Sequence, residues 1–371
     1  MLLTSSEQRA RPLNTELFSR DMDTNPKRIL VVRNAALGDV LLATAVLPVL
    51  SLRYPGRSID FATSFPSVLE GNPYVSQVIS ASGPRSAAYE EVFDLDMSYE
   101  MRPSQSILSA FAGSVGCSES DLSLSYTVSE GARAAAAELL SGMRLSSGNF
   151  VAVQAGSSFW LKNWPIASFE TLVRRLREVY DTDFLLLGSA DDPGVEGTVD
   201  LRGSCSLEVS VAVLERCIAY VGLDSSLLHF AKALGKPVAA FFGHSDPSLR
   251  IQIGERDCLL VSRIPCRFCH HRQRPPVVLP VCIRQALWLR ILDTILNLAF
   301  QRHFGQHDPL SLRVALLVLP LLKWREKGRR IAPCMGDISV DRAFAQLSPW
   351  LGDLGVPRRV PPTGWLGVVH A

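Results

Sequence analysis

The chain has 371 residues, 47% hydrophobic and 20% charged, with a formal charge of +2 at pH 7. That length allows two ordinary domains with separate cores. The near-neutral charge excludes a dedicated nucleic-acid binder, which carries a strongly basic face. No apolar run reaches the roughly 20 residues of a spanning helix; the nearest, Val314 to Leu322, is short and contains Pro320. The first residues carry Glu7, Arg9, Arg11 and Glu16 and show no apolar h-region, so a signal peptide is not expected. The chain reads as cytoplasmic, and its eight cysteines as thiols or metal ligands rather than disulfides.

In chain order, residues 1–26 read as a disordered leader and Ile29–Val32 as a buried parallel strand. A helix is predicted from Val40 to Leu52, stopping near Pro55-Gly56. Strands are predicted at Ser58–Ala62, Gln77–Ile79 and Val92–Leu95. Helices follow at Ser106–Ser114 and Glu130–Leu140, the latter rich in alanine. Ser146-Ser147-Gly148 reads as a linker, after which the pattern restarts with a strand at Phe150–Val153. An amphipathic helix over Ser168–Val179 puts Phe169, Leu172, Val173 and Leu176 on one face. Phe184–Gly188, Ile218–Val221 and Val238–Phe242 read as strands, with helices at Leu207–Arg216 and Ser226–Leu234 between them. Such βα alternation means parallel sheets with right-handed crossovers. Past about residue 260 the pattern breaks down, apart from an apolar helical stretch from Gln285 to Phe300. The expected organisation is a leader (1–26), two Rossmann-like domains (27–145 and 149–300) and an irregular tail (301–371).

The turns that follow the strands carry the candidate chemistry, because ligands of open α/β sheets bind at the carboxy ends of the strands. Arg33-Asn34-Ala35-Ala36-Leu37-Gly38-Asp39 follows the first strand. Gly38 lets the backbone turn sharply. Asp39 is either a cap for first-turn amides, the commoner role, or a general base for a sugar hydroxyl. Gln154-Ala155-Gly156-Ser157-Ser158 is a small-residue turn whose amides suit a phosphate. Lys162, before Pro165, points at the same crevice and could neutralise a diphosphate leaving group; a solvated lysine is the default alternative. Asp224-Ser225-Ser226 opens a helix with hydroxyls and amides available to an anion or a ribose. His229 lies one turn further, facing either ligand or core. Phe242-Gly243-His244-Ser245-Asp246-Pro247 makes another turn at the same sheet edge. Asp94-Leu95-Asp96 ends a strand and reads as structural rather than as a metal-binding Asp-x-Asp.

These residues in this order resemble glycosyltransferase family 9, the ADP-heptose:lipopolysaccharide heptosyltransferases. The resemblance covers roughly residues 27–283. It rests on Ala36-Leu37-Gly38-Asp39, Glu70-Gly71-Asn72-Pro73-Tyr74-Val75, Lys162-x-Trp164-Pro165, Asp224-Ser225 with His229, and Phe242-Gly243-x-Ser245-x-Pro247. It implies a GT-B fold, an α/β architecture of two Rossmann-like domains with parallel sheets facing a central cleft. The first domain, with Asn34 and Gly38, would take the acceptor and the second the nucleotide sugar. It also implies inverting transfer without a metal or other cofactor, with Asp39 as the base and Lys162 on the phosphates. Gly156, Ser157, Asp224, Ser225, Ser226, His229, Gly243 and Ser245 fall on the donor side. An acidic contact is implied after Gly188, at Asp191 or Asp192. One departure is Ser226, where the family usually has glycine.

The expected activity is transfer of heptose from ADP-heptose to a lipid-linked saccharide acceptor of the lipopolysaccharide core type. The alternatives are an inactive nucleotide-sugar-binding module of the same fold and a nucleotide-sugar epimerase. Cys266 and Cys269, with Cys282, have the look of a zinc site, although loop thiols without metal are the commoner case. In this family a cysteine-bearing segment recurs, and Cys334–Val340 looks like its closing segment. Arg290 and the Lys323–Arg330 cluster, beside apolar stretches, fit either peripheral contact with an anionic membrane surface or a solvated helix face.

Overall fold

The computed structural model describes residues 28–80, 89–143, 145, 149–269 and 331–360. The first half begins with strand β1 (Arg28–Val32), and its apolar run is completely buried, as expected for a parallel strand covered on both faces. Helices α1 (Leu37–Ala43) and α2 (Leu47–Arg53) follow, then strands β2 (Ser58–Thr63), β3 (Gln77–Ser80) and β4 (Tyr89–Asp94). Helices α3 (Ile107–Val115) and α4 (Glu130–Ser141) complete this half. The four strands are all parallel, in the order β3-β2-β1-β4.

The second half runs β5 (Phe150–Gln154), α5 (Ile166–Val179), β6 (Asp183–Leu186), β7 (Val199–Asp200), α6 (Leu207–Arg216) and β8 (Ala219–Leu223). It continues with α7 (Ser226–Ala233), β9 (Val238–Phe242) and β10 (Cys258–Val261). Its strand order is β10-β9-β8-β5-β6-β7, again wholly parallel. This is the doubly wound Rossmann order, which reverses direction between β5 and β8; the first sheet reverses between β1 and β4. Such reversals splay the connecting loops apart and open a crevice at the strands' carboxy ends. Both sheets therefore present their loops as the GT-B expectation requires.

The halves are joined by packing as well as by chain. Helix α4 lies on α6, where Arg133 grips Glu215 with Nε and Nη2 at 2.8 and 2.9 Å. Helix α1 lies on α7, and Tyr126 meets Phe230 edge-on with ring centroids 5.0 Å apart. One apolar cluster runs from Ile29 and Phe61 through Phe111 to Tyr220 and Phe230, crossing from one half to the other.

The predicted single helix from Val40 to Leu52 is divided into α1, a short 3-10 turn (Thr44–Val46) and α2. Pro48 falls in the first turn of α2, where its missing N–H is tolerated only if a new helix begins there. Strand β10 was not anticipated.

The irregular tail needs correction for its described part. Helices α8 (Pro333–Gly336) and α9 (Val340–Asp353) fold back onto the second half. Ser339 caps α9 by accepting from the Arg342 amide, and Ala343, Leu347 and Leu351, spaced by four, turn one face into the core beside α5. The Trp164 indole donates to the Ile338 carbonyl at 2.8 Å, and Trp350 to Arg256 at 2.7 Å. Because Leu347 is fully buried, Leu347→Ala is expected to destabilise the protein by about 2–5 kcal/mol, read as a lowered denaturation midpoint. An unchanged midpoint would mean this segment is dispensable to the core. The expected leader, the linker at 146–148, Cys282, Arg290 and the Lys323–Arg330 cluster lie outside the described residues. Among the described residues, no helix is long and apolar enough to cross a membrane.

Candidate functional site

The two switch points meet where α1 approaches α7. Gly38 is buried there. A Cβ on it would lie 2.8 Å from Cδ2 of His229 and 3.4 Å from the Ser226 Cα, so glycine lets the two helices touch. Asn34 is held by Asp96, whose carboxylate accepts from the Asn34 amide at 2.8 Å and from its side chain. Asp94 in turn accepts from the Asp96 amide at 2.9 Å. The Asp-x-Asp pair thus braces the loop after β1, as its structural reading implies.

Asp39 stands in the first turn of α1, mostly buried. Its Oδ2 accepts from Nη2 of Arg33 at 2.8 Å, from the Tyr99 hydroxyl at 2.8 Å and from the Ala36 amide at 3.2 Å. The last of these is the longest of the three: Ala36 is the N-cap and Asp39, at the third helical position, reaches back to its amide as in a capping box, so Asp39 does not cap first-turn amides. Arg33 is 2% exposed and also pairs with Glu100 at 2.7 Å. Burial opposes its charge, but Glu100 and Asp39 outweigh that and raise its pKa.

On the second half, a cleft of about 1140 Å³ opens at the carboxy ends of β5, β6 and β8. Gly156, Ser157 and Ser158 form one wall, Gly188 to Asp192 another, and Ser225 with Ser226 a third; Leu37 of the first half also lines it. Asp191 and Asp192, left open by sequence, both line the cleft, and Asp192 is the one wedged between the glycine turns. A Cβ at Gly156 would fall 2.3 Å from its Oδ1, and one at Gly188, where φ is +149°, 2.5 Å from its Oδ2. Both positions must be glycine to admit that carboxylate. Ser225 does not cap its own helix; its hydroxyl accepts from Gln154 Nε2 at 3.2 Å, leaving the first-turn amides of α7 uncapped by it.

Beside the cleft lies a buried charge cluster. Asp224 is 2% exposed. Lys162, from a 3-10 turn (Trp160–Lys162), sits 2.9 Å from its Oδ2 and donates to its carbonyl at 3.0 Å. Arg250 approaches the same oxygen at 3.9 Å, and the Ser245 hydroxyl donates to it. Burial would push the Asp224 carboxyl up, but Lys162 and Arg250 override it and hold it well below the usual carboxylate range. Arg250 is 8% exposed and lies 5.5 Å from the centre of the Tyr99 ring, reaching across from the second half to the first.

The structure therefore brings Asp39, Lys162, Asp224, Ser225, Ser226, His229 and Ser245 to one region. Gly243, directly after β9 and two residues before Ser245, packs beneath α8, where a Cβ would meet Sγ of Cys334 at 2.8 Å. Cys266 and Cys269 are half-buried, and among the described residues no three His, Cys, Asp or Glu side chains converge to hold a metal. Sequence reading missed Arg33, Tyr99, Glu100 and Arg250.

His229 is buried with its Nδ1 unbonded among the described residues. Burial lowers its pKa from 6.5 to about 4, against the pull of Asp224 and Asp39. A histidine neutral in the fold but protonatable when unfolded costs nothing above its ordinary value. It destabilises progressively as pH falls from there toward the folded value. Acidification from pH 7 to 5 should therefore remove about 2 kcal/mol through this residue. In His229→Gln the loss over the same interval should be visibly smaller by denaturant titration; identical slopes would refute the assignment.

A family model for glycosyltransferase family 9 (heptosyltransferase) matches residues 86–276. Lipopolysaccharide heptosyltransferase 2 of Salmonella typhimurium is 32% identical over 100 residues, a match spanning 23% of this chain and 28% of that protein. The match thus covers less than a third of that curated relative. Among solved structures, ADP-heptose LPS heptosyltransferase II of E. coli aligns with a TM-score of 0.56 and 17% identity. That alignment covers 89% of this chain and all of the other. A family 9 glycosyltransferase from Veillonella parvula gives 0.54 and 19%, covering 64% and 87%. At such identities the structures speak to fold alone, and the fold is the same. The family match extends over half the chain, and the chain belongs to glycosyltransferase family 9.

Proposed function

We propose that this chain is an inverting, metal-independent transferase that moves a heptose from ADP-heptose to a lipid-linked saccharide acceptor of the lipopolysaccharide core type. One observation carries the reading: a carboxylate of the first half and a cation–carboxylate pair of the second converge on the α1–α7 contact. The charges of Asp39 and Asp224 both act on His229 and on Arg250. Across that junction, Asp39 takes the proton of the acceptor hydroxyl as its oxygen attacks the anomeric carbon. The glycosyl–phosphate bond breaks on the opposite face, and its electrons leave with the diphosphate. Lys162 and the first-turn amides of α7 meet the negative charge that develops there. The nucleoside occupies the cleft between the Gly156 and Gly188 turns, with Asp192 at its wall. Asn34 and Gly38 lie on the acceptor side.

The family membership and the ADP-heptose named for the E. coli structure support this choice of donor. The test is purified protein supplied with ADP-heptose and a truncated lipopolysaccharide acceptor, with ADP release and product mass followed together. Transfer dependent on both substrates is expected. Donor bound without transfer would leave a binding module, and conversion of donor alone into an isomeric nucleotide sugar would indicate an epimerase.

A further inference from the structure

All three bonds that Asp39 accepts fall on a single oxygen. Arg33 and Tyr99 at 2.8 Å and the Ala36 amide at 3.2 Å converge on Oδ2, while Oδ1 accepts none among the described residues. The clamp is itself rigidly built. Arg33 donates through Nη1 to the Leu95 carbonyl at 2.9 Å and lies against the faces of Tyr99 and Phe111, 5.1 and 5.6 Å from their centres. Its Nη2 is shared between Asp39 and Glu100, and Glu100 receives a second, longer bond from Nη1 at 3.4 Å. Arg33 follows β1 directly, and Tyr99 and Glu100 follow β4, so the assembly sits at the switch point of the first sheet.

We infer that Arg33, Tyr99 and Glu100 are positioning residues for the transfer reaction, fixing Oδ2 of Asp39 so that Oδ1 is the oxygen that takes the acceptor proton. This rests on the reading of Asp39 as the base. A guanidinium alone against a carboxylate would favour the anion and weaken it as a proton acceptor. Glu100 on the same nitrogen offsets that charge. The cluster of two carboxylates and one guanidinium therefore orients Asp39 without neutralising it. Tyr99 works in the other direction, since its hydroxyl stabilises the anion by donation. His229 from α7 and Arg250 from the second half also face Asp39, and they are unchanged in the variants below.

The test measures transfer from ADP-heptose to a truncated lipopolysaccharide acceptor across pH 4 to 9. The proteins are wild type, Glu100→Gln, Tyr99→Phe and Arg33→Lys. Glu100→Gln leaves Arg33 paired with Asp39 alone, so the acidic limb of kcat/KM should move to lower pH; Tyr99→Phe, which removes a donor to the same oxygen, should move it to higher pH. Arg33→Lys keeps the charge but loses the fork, and kcat should fall at least about tenfold with donor KM little changed. A purely structural role would not split the limbs in opposite directions. The first two variants are near-isosteric, so they test the assignment even if Arg33→Lys folds poorly. Limbs that stay put or move together, in a wild type that transfers, would overturn the assignment alone. A wild type that transfers no sugar would overturn the proposed reaction and this assignment with it.

Discussion

Asp39→Asn is expected to lower kcat for heptose transfer by about 10²- to 10⁴-fold, the usual contribution of a positioned general base. The change is isosteric, and the fold should survive it. Arg33 keeps Glu100 at 2.7 Å, so no buried cation is orphaned, and an amide oxygen can still accept from Ala36. Donor binding should stay within about twofold, because the lost interaction belongs to the transition state and not to the ground state. The capping role predicts a different outcome: the asparagine oxygen keeps the bond from the Ala36 amide, so stability and the chemical step should both stay near wild type. Calorimetric binding of ADP, a melting curve and kcat on the same variant separate these outcomes. A stable and fully active Asp39→Asn protein would leave Asp39 as a cap and nothing more.

How much of this was legible depends on how far apart in sequence the partners lie. The parallel strands announced themselves because burial on both faces demands unbroken apolar runs, such as Ile29–Val32 and Val238–Phe242. The turns after β1, β5 and β8 were legible because close approach and anion binding call for glycine, serine and aspartate in short order. Helix α9 was hidden by Pro349 in its interior, and its apolar face, Ala343, Leu347 and Leu351, gains meaning only once α5 is present to cover it. β10 is a four-residue outer strand with too few residues to show a period. The clamp on Asp39 was illegible for the same reason: Arg33 meets Glu100 across 67 residues. Arg250 sits after a 3-10 turn (Pro247–Leu249) and meets Tyr99 only when the two halves dock.

Lys162→Met is expected to reduce kcat by about 10²- to 10³-fold, as removal of one preorganised donor to a developing anion does elsewhere. Unlike Asp39→Asn, it should also weaken ADP binding, since the ammonium meets charge that the free diphosphate already carries. A confounding effect follows from the geometry. Lys162 is the nearest cation to buried Asp224, 2.9 Å away, and leaving a buried carboxylate unpaired is strongly destabilising. Here the loss is partial, because Arg250 at 3.9 Å and the Ser245 hydroxyl stay on the same oxygen. The double variant Lys162→Met/Asp224→Asn distinguishes the two roles. If Lys162 matters only by compensating Asp224, neutralising both should restore stability and turnover together. If it meets the leaving diphosphate, stability should recover while kcat stays low, because the ammonium that answers the developing charge is still missing.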